Sequence, residues 1–216
     1  DLLVQSDKWV YVEGFMTVRD GVKIYGGLDV LGASLGGANS RGSSVYVHTT
    51  SRIVTSQAGS RIDIRGAQDV DIYGVAVAGG SIGALGVTWA REGSQVTVAA
   101  GEQAYLNGAL LASGNVQLDG GMGGADDHGL GVVVDTAGGL TSGGLGAGGA
   151  GGHVGIHGAG DLEMMGSILS GGTVSGSTIN WSARNSDVRV EAVGQAFIGG
   201  HTTNQAGDAI VTGGII

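Results

Sequence analysis

Asp126, Asp127 and His128 follow Asp119 and the run Gly120-Gly121-Met122-Gly123-Gly124. Carboxylates and backbone carbonyls are the donors that a hard cation such as Ca²⁺ takes. The run approaches the calcium-binding nonapeptide GGxGxDxUx, but its Asp comes late and the nonapeptide does not recur. Asp119, Asp126 and Asp127 are therefore candidate Ca²⁺ ligands, set against a plain solvated acidic loop. No other cofactor is expected. His153 and His157 flank Val154-Gly155-Ile156. On a strand they stand about 13 Å apart, too far for one metal ion to bridge.

Two further constellations invite chemistry. Trp89 and Trp181 are candidate platforms for stacking a sugar ring, against a structural role as edge-covering side chains. Asp63, Asp69 and Asp71 alternate with apolar residues and are expected to share one solvated face. Glycoside hydrolysis needs two carboxyl groups a fixed few ångströms apart in a cleft. The fixed pair is not recognisable here, and the chain is expected not to be an enzyme. The Gly-rich run 138–152 lacks the βαβ surroundings that a phosphate loop requires.

The elements that carry these residues are short. Val10-x-Val12, Leu28-x-Val30, Val45-x-Val47, Ile62-x-Ile64, Val96-x-Val98, Val116-x-Leu118, Val132-x-Val134, Val154-x-Ile156 and Val188-x-Val190 alternate as half-buried strands do. No apolar helical stripe survives, because glycine interrupts it every few residues and costs about 1 kcal/mol each time. The 216 residues include 47 Gly and neither Pro nor Cys. Absence of Pro suits strands that must donate along a continuous ladder. Successive triplets lie roughly 18 residues apart, in the range of stacked solenoids. The expected fold is all-β: a single-stranded right-handed parallel β-helix (β-solenoid) of about 18 residues per rung, with about 11 or 12 rungs. Ile62 and Val96 begin equivalent triplets two such steps apart, so a doubled rung of about 34 residues stays open.

The chain also repeats itself. Ser60–Gly108 overlays Gly152–Gly200 without a gap at an offset of 92, and 35–49 overlays 122–136 at an offset of 87. This predicts one continuous solenoid over 1–216, with internal copies at approximately 10–95, 96–187 and 188–216, the last one partial. Repeats of this kind come in arrays, and the chain is expected to be a piece of a longer protein.

The formal charge of −9, with ten Lys and Arg scattered along the chain, is unlike a nucleic-acid binder, which clusters cations against phosphates. No 18-residue apolar run offers a transmembrane segment.

Units such as SRIDIRGAQDVDIYGVAVAGG (60–80) and SDVRVEAVGQAFIGGHTTNQAG (186–207) resemble the repeats of large bacterial secreted and surface proteins, the filamentous-haemagglutinin-like exoproteins and giant repeat adhesins. The resemblance implies an extracellular or cell-surface setting and a structural or adhesive role as a stiff stalk or fibre. It implies as partners neighbouring repeats stacked end to end, self-association, and a cell-surface glycan or a host or partner cell. Two other functions stay open: a carbohydrate-binding or polysaccharide-degrading β-helix, and a calcium-dependent binding module.

Overall fold

The computed structural model describes residues 1–28, 34–84, 86–89, 93–122, 129–142, 152–175, 178–181, 186–199, 201–204 and 209–215. The described residues are all-β, and the chain visits three columns of parallel strands in a fixed order. The first circuit is β1 (Leu2–Ser6), β2 (Val10–Val12) and β3 (Phe15–Val18), and the second is β4 (Gly21–Gly26), β5 (Ser43–Val47) and β6 (Arg52–Thr55). The third circuit, β7 (Arg61–Gly66), β8 (Asp69–Ile72) and β9 (Val75–Ala78), is followed by an antiparallel hairpin of β10 (Gly80–Gly83) and β11 (Gly86–Trp89). Next come β12 (Gln95–Ala100), β13 (Ala104–Leu106) and β14 (Ala109–Ala112), then β15 (Asn115–Gly120), β16 (Leu130–Val134) and β17 (Gly139–Ser142). The sixth circuit, β18 (His153–Gly158), β19 (Asp161–Met164) and β20 (Ser167–Ser170), again carries a hairpin, β21 (Gly172–Ser175) with β22 (Thr178–Trp181). β23 (Asp187–Ile198) runs through the first two columns without a break; β24 (His201–Asn204) and β25 (Ala209–Ile215) follow.

Because β23 belongs to both, the first two columns form one 14-stranded sheet, and the third is a separate seven-stranded sheet. The result is a parallel, nearly closed, solenoid-like body.

The step between successive triplets is not the period of this body. The shortest circuits run from Leu2 to its partner Val22 and from Gln95 to Asn115. Those from Arg61 to Gln95 and from His153 to Asp187 are each lengthened by a hairpin. Those from Gly21 to Arg61 and from Val116 to Val154 are longer still, each holding an inserted loop. Successive Val-x-Val triplets fall now in the first column and now in the second, so their spacing mixes full circuits with partial ones. Seven full circuits, not 11 or 12, are seen among the described residues, with β25 adding the first two columns of an eighth, a height of roughly 34 Å at the usual strand spacing. Leu28 is not in a ladder strand at all: it forms an isolated antiparallel bridge with Ser34.

Alternation decides what is buried. Val22 and Ile24, Ile62 and Ile64, Val96 and Val98, Val116 and Leu118, Val154 and Ile156, and Val188 and Val190 point inward along the first column, all at 1% exposure or less. Full burial of such a side chain is worth about 1.5–3 kcal/mol, and stacking them in register makes one continuous core. The third column departs from simple alternation. Val54, Val77 and Leu169 point outward and are nevertheless buried. β10 lies against β6 and β21 against β17, so each hairpin folds back over the circuit before it.

The internal copies coincide strand by strand. Moved by the first offset, β7, β8, β9, β10 and β11 fall on the bounds of β18, β19, β20, β21 and β22; moved by the second, β5 and β6 fall on β16 and β17. Glycines with left-handed backbone follow the same offsets, Gly79 with Gly171 and Gly42 with Gly129. The structural unit is three circuits, one bare, one carrying an inserted loop and one carrying a hairpin.

Candidate functional site: an aromatic and acidic strip

The outer face of the second column gathers most of the aromatic side chains. Tyr11 lies over Tyr46 with rings 5.6 Å apart and 10° from parallel; Tyr46 meets Tyr73 at 5.3 Å, and Tyr73 meets Tyr105 at 5.4 Å. Trp9 stands edge-on to Tyr11 at 6.2 Å, and the ring of His48 lies 6.1 Å from that of Tyr11. These rings meet because each belongs to, or follows, an alternating triplet whose flanking residues are buried. Parallel pairing then sets them on neighbouring strands about 4.8 Å apart. Trp9, Tyr11, Tyr46 and His48, with Asn39 and Arg41 of the loop before β5, line an open groove.

Carboxylates are interleaved with the rings. Tyr105 donates its phenol proton to Asp135. That bond, with the Thr136 N–H, holds the Asp135 carboxyl below its ordinary range. Burial, then the same bond, pushes Tyr105 up to about 12. Asp71 is half-buried between tyrosines, and burial raises its pKa, against the opposing effects of the Ser43 hydroxyl that donates to it and the Arg41 charge. A carboxyl raised by folding contributes stability that is complete below the unfolded-state pKa and lost as pH rises through the folded value. Asp71→Asn is therefore expected to raise the melting temperature at pH 7 relative to wild type and to lose that advantage by pH 3. Thermal melts across that range check it, and a variant less stable at pH 7 overturns the sign.

Asp69 and Asp161 do a structural job on the same face. Asp69 Oδ1 accepts the Gln103 N–H at 2.9 Å, just before β13, and Asp161 Oδ1 accepts the Gln195 N–H at 2.8 Å, where β23 enters the second column. The strands of this column contain no Lys or Arg, β23 being counted only from Gln195, whereas the first column carries Lys23, Arg61, Arg65 and Arg189.

The sequence-derived candidates scatter. Asp119 lies on the first column, where Gln117 Nε2 donates to it at 2.6 Å, its strand partner is His157, and burial raises its pKa. Asp126, Asp127 and His128 lie outside the described residues, among which no group of three His, Cys, Asp or Glu could hold a metal ion. Asp63, Asp69 and Asp71 do not share a face. Asp63 is on the first column, bonded by the Tyr25 hydroxyl and Arg65 Nε, both at 2.8 Å, while Asp69 and Asp71 are on the second. His153 Nδ1 bonds Asp187. Trp89 pairs across its hairpin with Gly80 and lies so close that a Cβ on Gly80 would stand 3.0 Å from the indole; its indole N–H is buried without an acceptor among the described residues. Trp181 takes the same hairpin position opposite Gly172.

The tyrosine strip went unread in the sequence, although its signal was present: an aromatic residue at the central position of Val10-Tyr11-Val12, Val45-Tyr46-Val47 and Ala104-Tyr105-Leu106. Among the described residues no helix is long and apolar enough to cross a membrane. No protein family, curated protein or solved structure matches the chain.

Proposed function

We propose that this chain is a structural and adhesive segment of a large bacterial secreted or cell-surface protein, a single-stranded right-handed parallel β-helix used as a stiff repetitive stalk. The observation that carries the reading is the three-circuit unit, whose strands recur with the same lengths from copy to copy in the loop-bearing and hairpin-bearing circuits, the offset changing only in the connections between circuits. A repeat held so closely in register serves length and straightness, since each unit presents the same edges to the next. Around the candidate acids the strand frame is kept while Asp63 gives way to Gly155; a carboxylate pair that includes Asp63 therefore does not recur, which supports a non-catalytic segment.

The test is made on source cells. Peptide mapping with this sequence is expected to find it within a polypeptide several times longer than these 216 residues, released by protease from intact cells. Peptides confined to a chain of about this length, or shielded until the cells are lysed, would overturn the stalk and its location.

A further inference from the structure

The second column repeats one arrangement in both copies. Asp71 is the strand partner of Tyr105, and Glu163 is the strand partner of Phe197. Each acid sits on a hairpin-bearing circuit, and each ring sits on the bare circuit that follows. The two acid–ring pairs are three circuits apart, about 14 Å along the body. Beside the second pair, Leu130, Asp161, Leu162, Glu163, Gln195 and Phe197 line an open groove of about 380 Å³.

The two copies differ in what occupies the acid. In the first, the Ser43 hydroxyl donates to Asp71, and the Arg41 guanidinium acts on both Asp71 and Tyr73. The strip thus already holds one cation of its own. In the second copy the position of Ser43 is taken by Leu130, which has no hydroxyl to give. The Glu163 carboxylate has no hydrogen bond or ion pair among the described residues, and Phe197 is 46% exposed. A carboxylate beside an exposed ring attracts a cation on both counts. The exposed ring also offers an apolar surface to the C–H face of a pyranose, and the exposed Gln195 amide offers hydrogen bonds to its hydroxyls.

We infer that the groove of Glu163 and Phe197 binds a linear polysaccharide of amine-bearing sugars, the ammonium on Glu163 and the sugar ring on Phe197. Charge complementarity argues for the amine, since the strands of this face carry acids and no Lys or Arg. Straightness argues for a glycan, since the groove lies on the same rigid column as the tyrosines, a face along which an extended polymer can lie. This deepens the adhesive reading proposed above and rests on it, but its test is independent of the length of the parent protein.

The protein is titrated with a β-1,4-linked glucosamine oligomer, with the fully N-acetylated oligomer and with oligolysine. The glucosamine oligomer is expected to bind, more weakly as salt rises, and at least about tenfold more tightly than the acetylated form. Glu163→Gln and Phe197→Ala are each expected to weaken binding about fivefold to tenfold, with unchanged melting temperature. Should Phe197→Ala lower the melting temperature, Phe197→Leu replaces it, keeping bulk and removing the ring. Equal binding of the acetylated oligomer, indifference to both substitutions, or no binding overturns the proposal. So does oligolysine binding that loses nothing with the ring, which would leave a purely electrostatic surface.

Discussion

Gly108→Ala is expected to destabilise the protein by about 3 kcal/mol, whereas Gly139→Ala should leave it unchanged or slightly more stable. Neither glycine needs a left-handed backbone, so the contrast is one of space alone. At the corner between the second and third columns, Gly74, Gly108, Gly138 and Gly166 stack along the body. The carbonyls of three corner glycines accept N–H groups of the next circuit: Gly74 O from Ala109, Gly108 O from Gly139, and Gly138 O from Ser167. A Cβ on Gly108 would stand 1.9 Å from Gly74 O, the oxygen that accepts the Ala109 N–H at 3.0 Å. That oxygen belongs to the backbone and cannot swing aside as a side chain would. The ladder must open there, losing a hydrogen bond inside a packed corner. At Gly139 the nearest atom is the Ser167 hydroxyl, at an ordinary 3.4 Å, and alanine would only restrict the unfolded chain. Urea unfolding of the two variants beside wild type decides it. A Gly108→Ala protein as stable as wild type would mean that the corner is looser than described.

These glycines show what the sequence yields and what it withholds. Alternation in Ile62-x-Ile64 or Val96-x-Val98 exposes a strand and its buried face, because side chains of a strand alternate whatever the strand pairs with. It does not say which strand pairs with which. Val96 and Val116 are one circuit apart, but Val116 and Val132 are a column apart within one circuit, and the two spacings look alike in sequence. The same ambiguity put Asp63 beside Asp69 and Asp71. It also hid the tyrosines, since Tyr11 and Tyr46 touch across a full circuit of intervening chain. The hairpins carry no strong alternation of their own, and self-comparison betrayed them only as a repeated Trp. Repetition was the more reliable guide, because it needs no knowledge of pairing.

The strongest expected contrast comes from removing circuits. Deletion of residues 95–186, which joins Ser94 to Asp187, should leave a folded, cooperatively melting protein shortened by about 14 Å. Arg61 pairs with Gln95 as its counterpart His153 pairs with Asp187, so β23 can take the place of β12 on β7 without a change of register. Val188 and Val190 would replace Val96 and Val98 over Ile62 and Ile64, valine for valine. Deletion of residues 95–152, which joins Ser94 to His153, also removes whole circuits, but two and not three. It should destabilise the fold severely, because it sets the two hairpin-bearing circuits side by side. Each hairpin folds over the circuit before it; in one copy it covers the outward Val54 of that circuit and Val77 of its own. The hairpin of β21 and β22 would then have to lie where the hairpin of β10 and β11 leaves its own circuit. Circular dichroism and thermal melting of the two deletions separate the cases. If both fold equally well, the hairpins are ornaments and the circuit itself is the unit. If only the three-circuit deletion folds, the hairpins explain why the period is three circuits: each needs a hairpin-free circuit to lie on.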